Sequence, residues 1–299
     1  MGGSATEHSC YAVALDRYAE AEKVTRGVLE VYQKARGESD PEVLKLRLVL
    51  AAVLNAEGKY AEAETMAREG LKLQEKALGP ENPTTLFARA NLADVLNNEG
   101  KYAEAEANLR EVVKLEEKVS GPEHHDTLLM RNGLAAVLNA EGKYAEAEAE
   151  LRAVLKLREK ILGPEHHSTL NTRRNLAAAL GNQGKDAEAE AEFREILKLQ
   201  ENALDPGDID TIDTLTTRDN LATALLHEGK YAEAEIESRE VLKLREKMLG
   251  PEHPATLRTH YGLAEILGEE GKHAEAETEF RTVLKLREKV LGLEHPNTA

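Results

Sequence analysis

An all-α solenoid of stacked antiparallel helix pairs is the fold this sequence predicts, and three observations predict it. The fourteen letters AAVLNAEGKYAEAE at Ala51 to Glu64 recur unchanged at Ala135 to Glu148. Gly58, Gly100, Gly142, Gly184, Gly229 and Gly271 mark the same Gly-x turn at spacings of 42, 42, 42, 45 and 42 residues, and self-similarity at fixed period is the signature of a repeat array. The composition is 41% hydrophobic and 31% charged, rich in Ala, Glu, Leu, Lys and Arg with nothing that favours strands. A length of 299 residues would otherwise suggest two domains, but an array grows as one line of units.

Residues 1–15 read as an N-terminal tail with a partial first helix, because Asp16-Arg17-Tyr18-Ala19-Glu20 stands one period before Gly58-Lys59-Tyr60-Ala61-Glu62. Residues 16–299 then form the array, six periods of 42–45 residues, truncated at a unit boundary. The second helix of a unit, such as 101–119, carries Tyr102, Ala105, Leu109, Val112 and Leu115 on one stripe, with Glu104 and Glu106 early and Lys114 and Lys118 late, as the helix dipole favours. Gly79, Gly121, Gly163 and Gly250, each followed by proline, end these helices. The next helix begins at Asp40-Pro41, Asn82-Pro83 or His253-Pro254, a capping residue before proline at the first helical position.

The first helices bury two leucine columns, Leu44, Leu86, Leu128, Leu170, Leu215, Leu257 and Leu50, Leu92, Leu134, Leu176, Leu221, Leu263. Between them runs an alanine column from Ala51 to Ala264, matched on the second helices by Ala63, Ala105, Ala147, Ala189, Ala234 and Ala276. Alanine in both columns implies a close crossing of the two helices. The unit that contains Asp205-Pro206-Gly207-Asp208-Ile209-Asp210 is three residues longer, which reads as a loop insertion. At the other end Val290, Leu291 and Leu293 have no following helix to cover them.

Net charge of −16 works against nucleic acid and anionic lipid as partners, and no run approaches the ~18 to 20 apolar residues of a membrane span. One cysteine, Cys10, permits no internal disulfide, and a cytoplasmic setting is expected. There is no phosphate-cradling glycine loop, Cys-x-x-Cys or His-Glu-x-x-His, and the carboxylates recur with the period rather than standing at one unique place. No catalytic residue, cofactor or metal ligand is therefore assigned, and the chain is expected not to be an enzyme. His124, His166, His253 and His295 share a column with Asp40, Asn82 and Thr211, so capping is expected of them rather than metal binding. Arg47, Arg89, Arg131, Arg173 and Arg218, continued by His260, accompany Glu75, Glu117, Glu159, Glu201, Glu246 and Glu288, and read as an ion-pair ladder or as an anion-binding stripe. Tyr18, Tyr60, Tyr102, Tyr144 and Tyr231 read as packing residues.

The run Asn-Leu-Ala-x-x-Leu-x-x-x-Gly-Lys-Tyr-x-Glu-Ala-Glu at Asn91 to Glu106, and at Asn175 to Glu190 with Asp186 replacing tyrosine, resembles the tetratricopeptide repeat. The familiar unit is ~34 residues. The longer form here, with Leu-Gly-Pro-Glu-His-Pro-x-Thr-Leu between units, resembles the kinesin-light-chain type. The resemblance implies a right-handed α-solenoid and a non-catalytic interaction scaffold that binds a peptide or helix in a concave groove lined by the first helices. Carried over by column, the groove candidates are Asn55, Asn97 and Asn139, then Asn91, Asn175 and Asn220, with Asn132, Asn171, Arg174 and Arg258 beside them. Phe87, Asp94, Asp219, His227 and Tyr261 vary on the same helices. An asparagine amide both donates and accepts, which suits a peptide backbone; the same amides also suit hydrogen bonds between units. The alternative is a structural or designed array that self-associates through its exposed terminal edge.

Overall fold

The structure, a computed structural model, describes residues 10–203 and 212–291, and side-chain surroundings over 20–200 and 213–286. Within them it contains thirteen α-helices and no strand: α1 (Cys10–Arg36), α2 (Pro41–Ala56), α3 (Tyr60–Leu78), α4 (Pro83–Asn98), α5 (Tyr102–Val119), α6 (His125–Ala140), α7 (Tyr144–Leu162), α8 (His167–Asn182), α9 (Asp186–Ala203), α10 (Ile212–His227), α11 (Tyr231–Leu249), α12 (Pro254–Glu269) and α13 (His273–Leu291). The insertion at 205–210, Thr211, Leu293 and His295 lie outside the described residues, as do the side chains of Tyr18, Glu201, Glu288, Val290 and Leu291.

Two compact units form, Leu15–Ile161 and the part from Leu162 onward. In the first, α2 pairs with α3 and α4 with α5, while α2, α4 and α6 touch in succession. In the second, the pairs are α8 with α9, α10 with α11 and α12 with α13, and α8, α10 and α12 again touch in succession. The all-α solenoid arrangement expected from the period is thus the one observed within each unit.

The turn between paired helices explains why Gly-Lys recurs. Gly58 has φ of +77°, a conformation that costs glycine little, and this lets Lys59 N–H donate to Leu54 C=O (2.9 Å) and Gly58 N–H to Asn55 C=O (3.1 Å). Both bonds satisfy orphan carbonyls at the end of α2, the Schellman arrangement. The same closure repeats from Lys101 to Leu96 (2.8 Å) through Lys272 to Leu267 (2.8 Å). Where the glycine is missing, the turn is missing too. At the equivalent place α1 runs through Asp16-Arg17 without interruption, since Asp16 stands where the other turns hold glycine and a Cβ there makes the left-handed φ costlier than continuing the helix.

First helices start on side-chain caps. Asp40 Oδ1 accepts from Glu42 N–H (3.0 Å) and Asn82 Oδ1 from Thr84 N–H (2.9 Å). In the same column the imidazole Nδ1 of His124, His166 and His253 accepts from Asp126, Ser168 and Ala255 N–H at 3.3, 3.1 and 3.2 Å. Behind them the leucine columns are buried, and the alanine columns are closed to solvent, Ala93, Ala105, Ala135, Ala147, Ala177, Ala189, Ala234 and Ala264 completely. Leu29 of α1 joins the first unit's core with Val43, Leu50, Leu54, Ala63 and Val95.

Candidate functional site

Each first helix turns one stripe toward its pair and keeps the opposite stripe exposed, so α2, α4 and α6 share one exposed face, the inner face of the expected groove, and α8, α10 and α12 share another. What these faces can do depends on which side chains the scaffold has already engaged.

Much of the charge is engaged. Lys101 Nζ donates to Glu64 of the preceding pair (2.8 Å) and lies 3.1 Å from Glu99. Arg68 spans Glu64 and Glu104, at 2.8 and 2.5 Å. The same staple recurs as Lys59 and Arg26 on Glu22, Lys143 and Arg110 on Glu106, Lys230 and Arg194 on Glu190, and Lys272 and Arg239 on Glu235. The cations hold the carboxyls low, Glu22 to about 2 through Lys59 and then Arg26, and Glu190 to about 2 through Lys230. This ladder was hidden in the sequence because its partners lie 36 to 40 residues apart, on equivalent turns of successive pairs.

The arginine column is an ion-pair ladder that uses the expected glutamate column in part and other carboxylates as well. Arg89 does meet Glu75, together with Glu111, and His260 Nε2 lies 3.5 Å from Glu246. Arg131 instead meets Glu150 (2.8 Å), because the second helix of its own pair brings that carboxylate alongside, and in the same way Arg173 meets Glu192 (2.8 Å) and Arg218 meets Glu240 (2.9 Å) on theirs. With side-chain exposures of 9 to 21% from Arg47 to Arg218, the column is structural and offers no open anion stripe.

A second buried polar column went unread. Gln74, Glu116, Arg158, Gln200 and Arg245 occupy one repeat position near the end of the second helices, each less than a tenth exposed. Arg245 Nη1 donates to Asp219 Oδ2 (3.0 Å), Thr259 Oγ1 (2.6 Å) and Ala255 C=O (3.0 Å), tying α11 to α10 and α12. Gln74 is fully buried with neither amide atom hydrogen-bonded. The signal lies in the sequence, since the leucine-rich second helices keep Gln, Glu or Arg at this position from Gln74 to Arg245. In the same column Glu116 lies with His124 and Asp126 so that one ligand atom of each falls within 4.8 Å of the others. His124 Nδ1 already accepts the cap bond and Glu116 already accepts from Ser120 (2.5 Å).

The groove candidates divide between the units. On the first inner face, Asn55 Oδ1 accepts from Asn98 Nδ2 (3.1 Å), a bond between successive first helices. Asn91, Asn97 and Asn139 are half-buried and Asn132 is buried, and the amide oxygens of Asn97 and Asn132 lack hydrogen-bond partners. On the second, Asn171 and Asn175 are half-buried, and Arg174 is spent on Asp213 of α10 (3.3 Å). Asn220 lies at the meeting of two cavities. One, of about 170 Å³, is lined by Gly181, Asp186, Phe193, Asn220 and His227. The other, of about 230 Å³, is lined by Asp219, Asn220, Arg258, Tyr261 and Gly262. Arg258 is exposed and reaches Asp219 at 3.3 Å. The cavities exist where glycine replaces the repeat's asparagine: a Cβ on Gly262 would meet nothing within 4 Å. The tyrosines Tyr60, Tyr102, Tyr144 and Tyr231 are half-buried beside the turns.

Stacked helix pairs whose first helices leave open inner faces define an α-solenoid repeat protein, a class that works through surfaces. The profile of the tetratricopeptide repeat matches residues 9–76, 42–118, 126–202 and 213–289, and the chain belongs to that family. Its long repeats are of the kinesin-light-chain type: the nearly identical TPR-like kinesin-light-chain repeats of Podosopora anserina are 28% identical, covering 70% of this chain and 98% of that one, with a TM-score of 0.58. The apo quorum sensor NprR of B. thuringiensis is 16% identical, with 92% and 75% covered and a TM-score of 0.62. NprR in complex with its cognate peptide NprX is 15% identical, with 95% and 85% covered and a TM-score of 0.59. At those identities the NprR structures speak to fold alone. No curated protein sequence matches the chain. Among the described residues no helix is long and apolar enough to cross a membrane.

Proposed function

We propose that the chain is a non-catalytic interaction scaffold that holds a peptide or short helix of a protein partner against the inner faces of its first helices. The observation that carries this reading is Asn220: one half-buried amide that borders two adjoining cavities on α10, with Thr223 and His227 shared between them. Such an amide can meet a passing peptide N–H and C=O together, and the flanking cavities give side chains on either side a place to go. The family setting agrees, and NprR holding NprX illustrates that this fold accommodates a peptide. The charge of −16 favours a protein partner over nucleic acid or anionic membrane. The test is a random peptide library selected on the immobilised chain, with enriched peptides measured by fluorescence anisotropy. Binding is expected to fall when Asn220 or Asn91 is replaced by leucine, with helical content preserved. No enrichment, or enriched peptides indifferent to both substitutions, would remove the reading.

One observation favours a second reading, self-association. Phe280 and Leu284 on α13 are 40% and 45% exposed and line a shallow apolar depression with Gly268, His273 and Ala276. Light scattering of the parent chain and of Leu284→Glu decides it: a concentration-dependent mass abolished by the substitution supports it, and a monomer throughout excludes it.

A further inference from the structure

The inner face of the unit Leu15–Ile161 is uneven in a way that selects a partner. Phe87 on α4 is 49% exposed, and Val49 on α2 and Leu129 on α6 are 49% and 41% exposed. Three large apolar side chains thus stand in water on three successive helices. Two turns along α4, Asp94 occupies the repeat position held by Ala52 on α2 and Ala136 on α6, so no larger side chain covers it there. Among the described residues its carboxylate has no ion-pair or hydrogen-bond partner, in a molecule whose other helix carboxylates are widely stapled. Lys45, the cation on the same face, is engaged by Glu42 at 2.9 Å. Asp94 is exposed, and the helices around it still push its carboxyl above the ordinary range by desolvation. An exposed carboxylate without a counter-charge gains from any cation delivered to it.

We infer that this face selects a peptide with a basic side chain close to a bulky apolar one, the apolar residue lying on Phe87 of the middle helix, with Val49 and Leu129 extending the apolar surface to either side, and the base on Asp94. This rests on the peptide-binding reading and deepens it by giving the chemistry of the occupant. The chain's charge of −16 draws such a peptide in. Seven residues of helix separate Phe87 from Asp94, a rise of about 10.5 Å, and an extended peptide covers that distance in about three residues. The recognised pattern is therefore an apolar residue with arginine or lysine about three positions away.

The experiment uses the full chain and fluorescent peptides in which a leucine is fixed and the third residue from it is arginine, glutamine or glutamate. The parent chain is expected to bind the arginine peptide on the order of tenfold more tightly than the glutamine one, a gap set by one good charge contact. Asp94→Ala, which restores the residue its neighbouring repeats carry, should erase that gap while leaving weaker apolar binding. Asp94→Arg should favour the glutamate peptide, and Phe87→Ser should weaken all three. A preference for arginine that survives Asp94→Ala overturns the inference. So does equal binding of all three peptides, and if Phe87→Ser then abolishes it, the peptide-binding reading stands alone. Failure of all three while the library yields other ligands also removes only this inference. Failure of the library as well removes both.

Discussion

Lys101 Nζ lies 2.8 Å from Glu64 Oε2, thirty-seven residues earlier in the chain, and this one contact shows what the Glu-Gly-Lys turn is for. The glycine closes one helix, and the lysine beside it reaches back to the preceding pair. A local turn signal and a long-range staple are the same three residues.

The staples make stability acid-sensitive. Glu22 and Glu190 titrate at about 2 in the folded chain against 4.5 for a free glutamate, so between those values the unfolded state binds more protons. Stability is then fully present above pH 4.5 and is lost as pH falls toward 2. Glu64, Glu106 and Glu235 are lowered by their lysines and act in the same direction. His253, held below 6.5 by burial and Arg245, caps α12 as a neutral acceptor, and it adds a smaller loss as pH drops under 6.5. Melting curves at pH 7, 5, 4 and 3 should show a modest early decline and a steep late one; a flat profile to pH 3 would show that the ladder contributes nothing.

Ala105 is completely buried where α4 and α5 cross. Ala105→Leu should destabilise by ~1 to 3 kcal/mol through overpacking. Ala107→Leu, on the exposed side of the same helix, should stay within about 0.5 kcal/mol. Urea midpoints of the two variants compare them directly, and equal midpoints would contradict the close crossing.

Gln74 offers a gain. An unsatisfied buried amide costs roughly 1 to 3 kcal/mol, and methionine fills nearly the same volume without polar atoms. Gln74→Met is expected to raise the urea midpoint with an unchanged slope. A drop would mean the amide is hydrogen-bonded in solution.

Arg245 is 1% exposed and neutralises Asp219, itself 14% exposed. Removing Arg245 leaves Asp219 with the exposed Arg258 as its counter-charge and strips three hydrogen bonds from the α10–α11–α12 junction, so Arg245→Ala should cost roughly 1 to 3 kcal/mol or more. Pairing Arg245→Met with Asp219→Ala should recover most of it, since the half-paired carboxylate is gone. A double variant as unstable as the single would mean that packing, not charge, is what Arg245 supplies.

The legible part of this molecule was its local chemistry repeated many times. Leu44 and its column, Ala105 and its column, the Asp40 and His253 caps and the glycine stops were read from spacing because each obeys a rule acting within one or two turns. The arginine column shows where that reading stops. Arg131 sits at the position Arg89 does, yet one meets Glu150 and the other Glu75 and Glu111, since the choice depends on which carboxylate the adjoining helix brings within reach. Among the groove candidates, Arg174 and Arg258 lie against Asp213 and Asp219, and Asn55 bonds Asn98, engagements that no column of letters displays.

The sequence by itself determined that this chain is made of paired helices, where each starts and stops, and which stripe each buries, because periodicity, capping and glycine conformation act over a few residues. Only the tertiary structure decided which polar side chains are used up and which remain. Among the described residues, Asp94 without a partner, Gln74 without a hydrogen bond and Asn220 between two cavities follow from how residues about forty positions apart are brought side by side, and a polar group's state is set by those neighbours and not by its own place in the repeat.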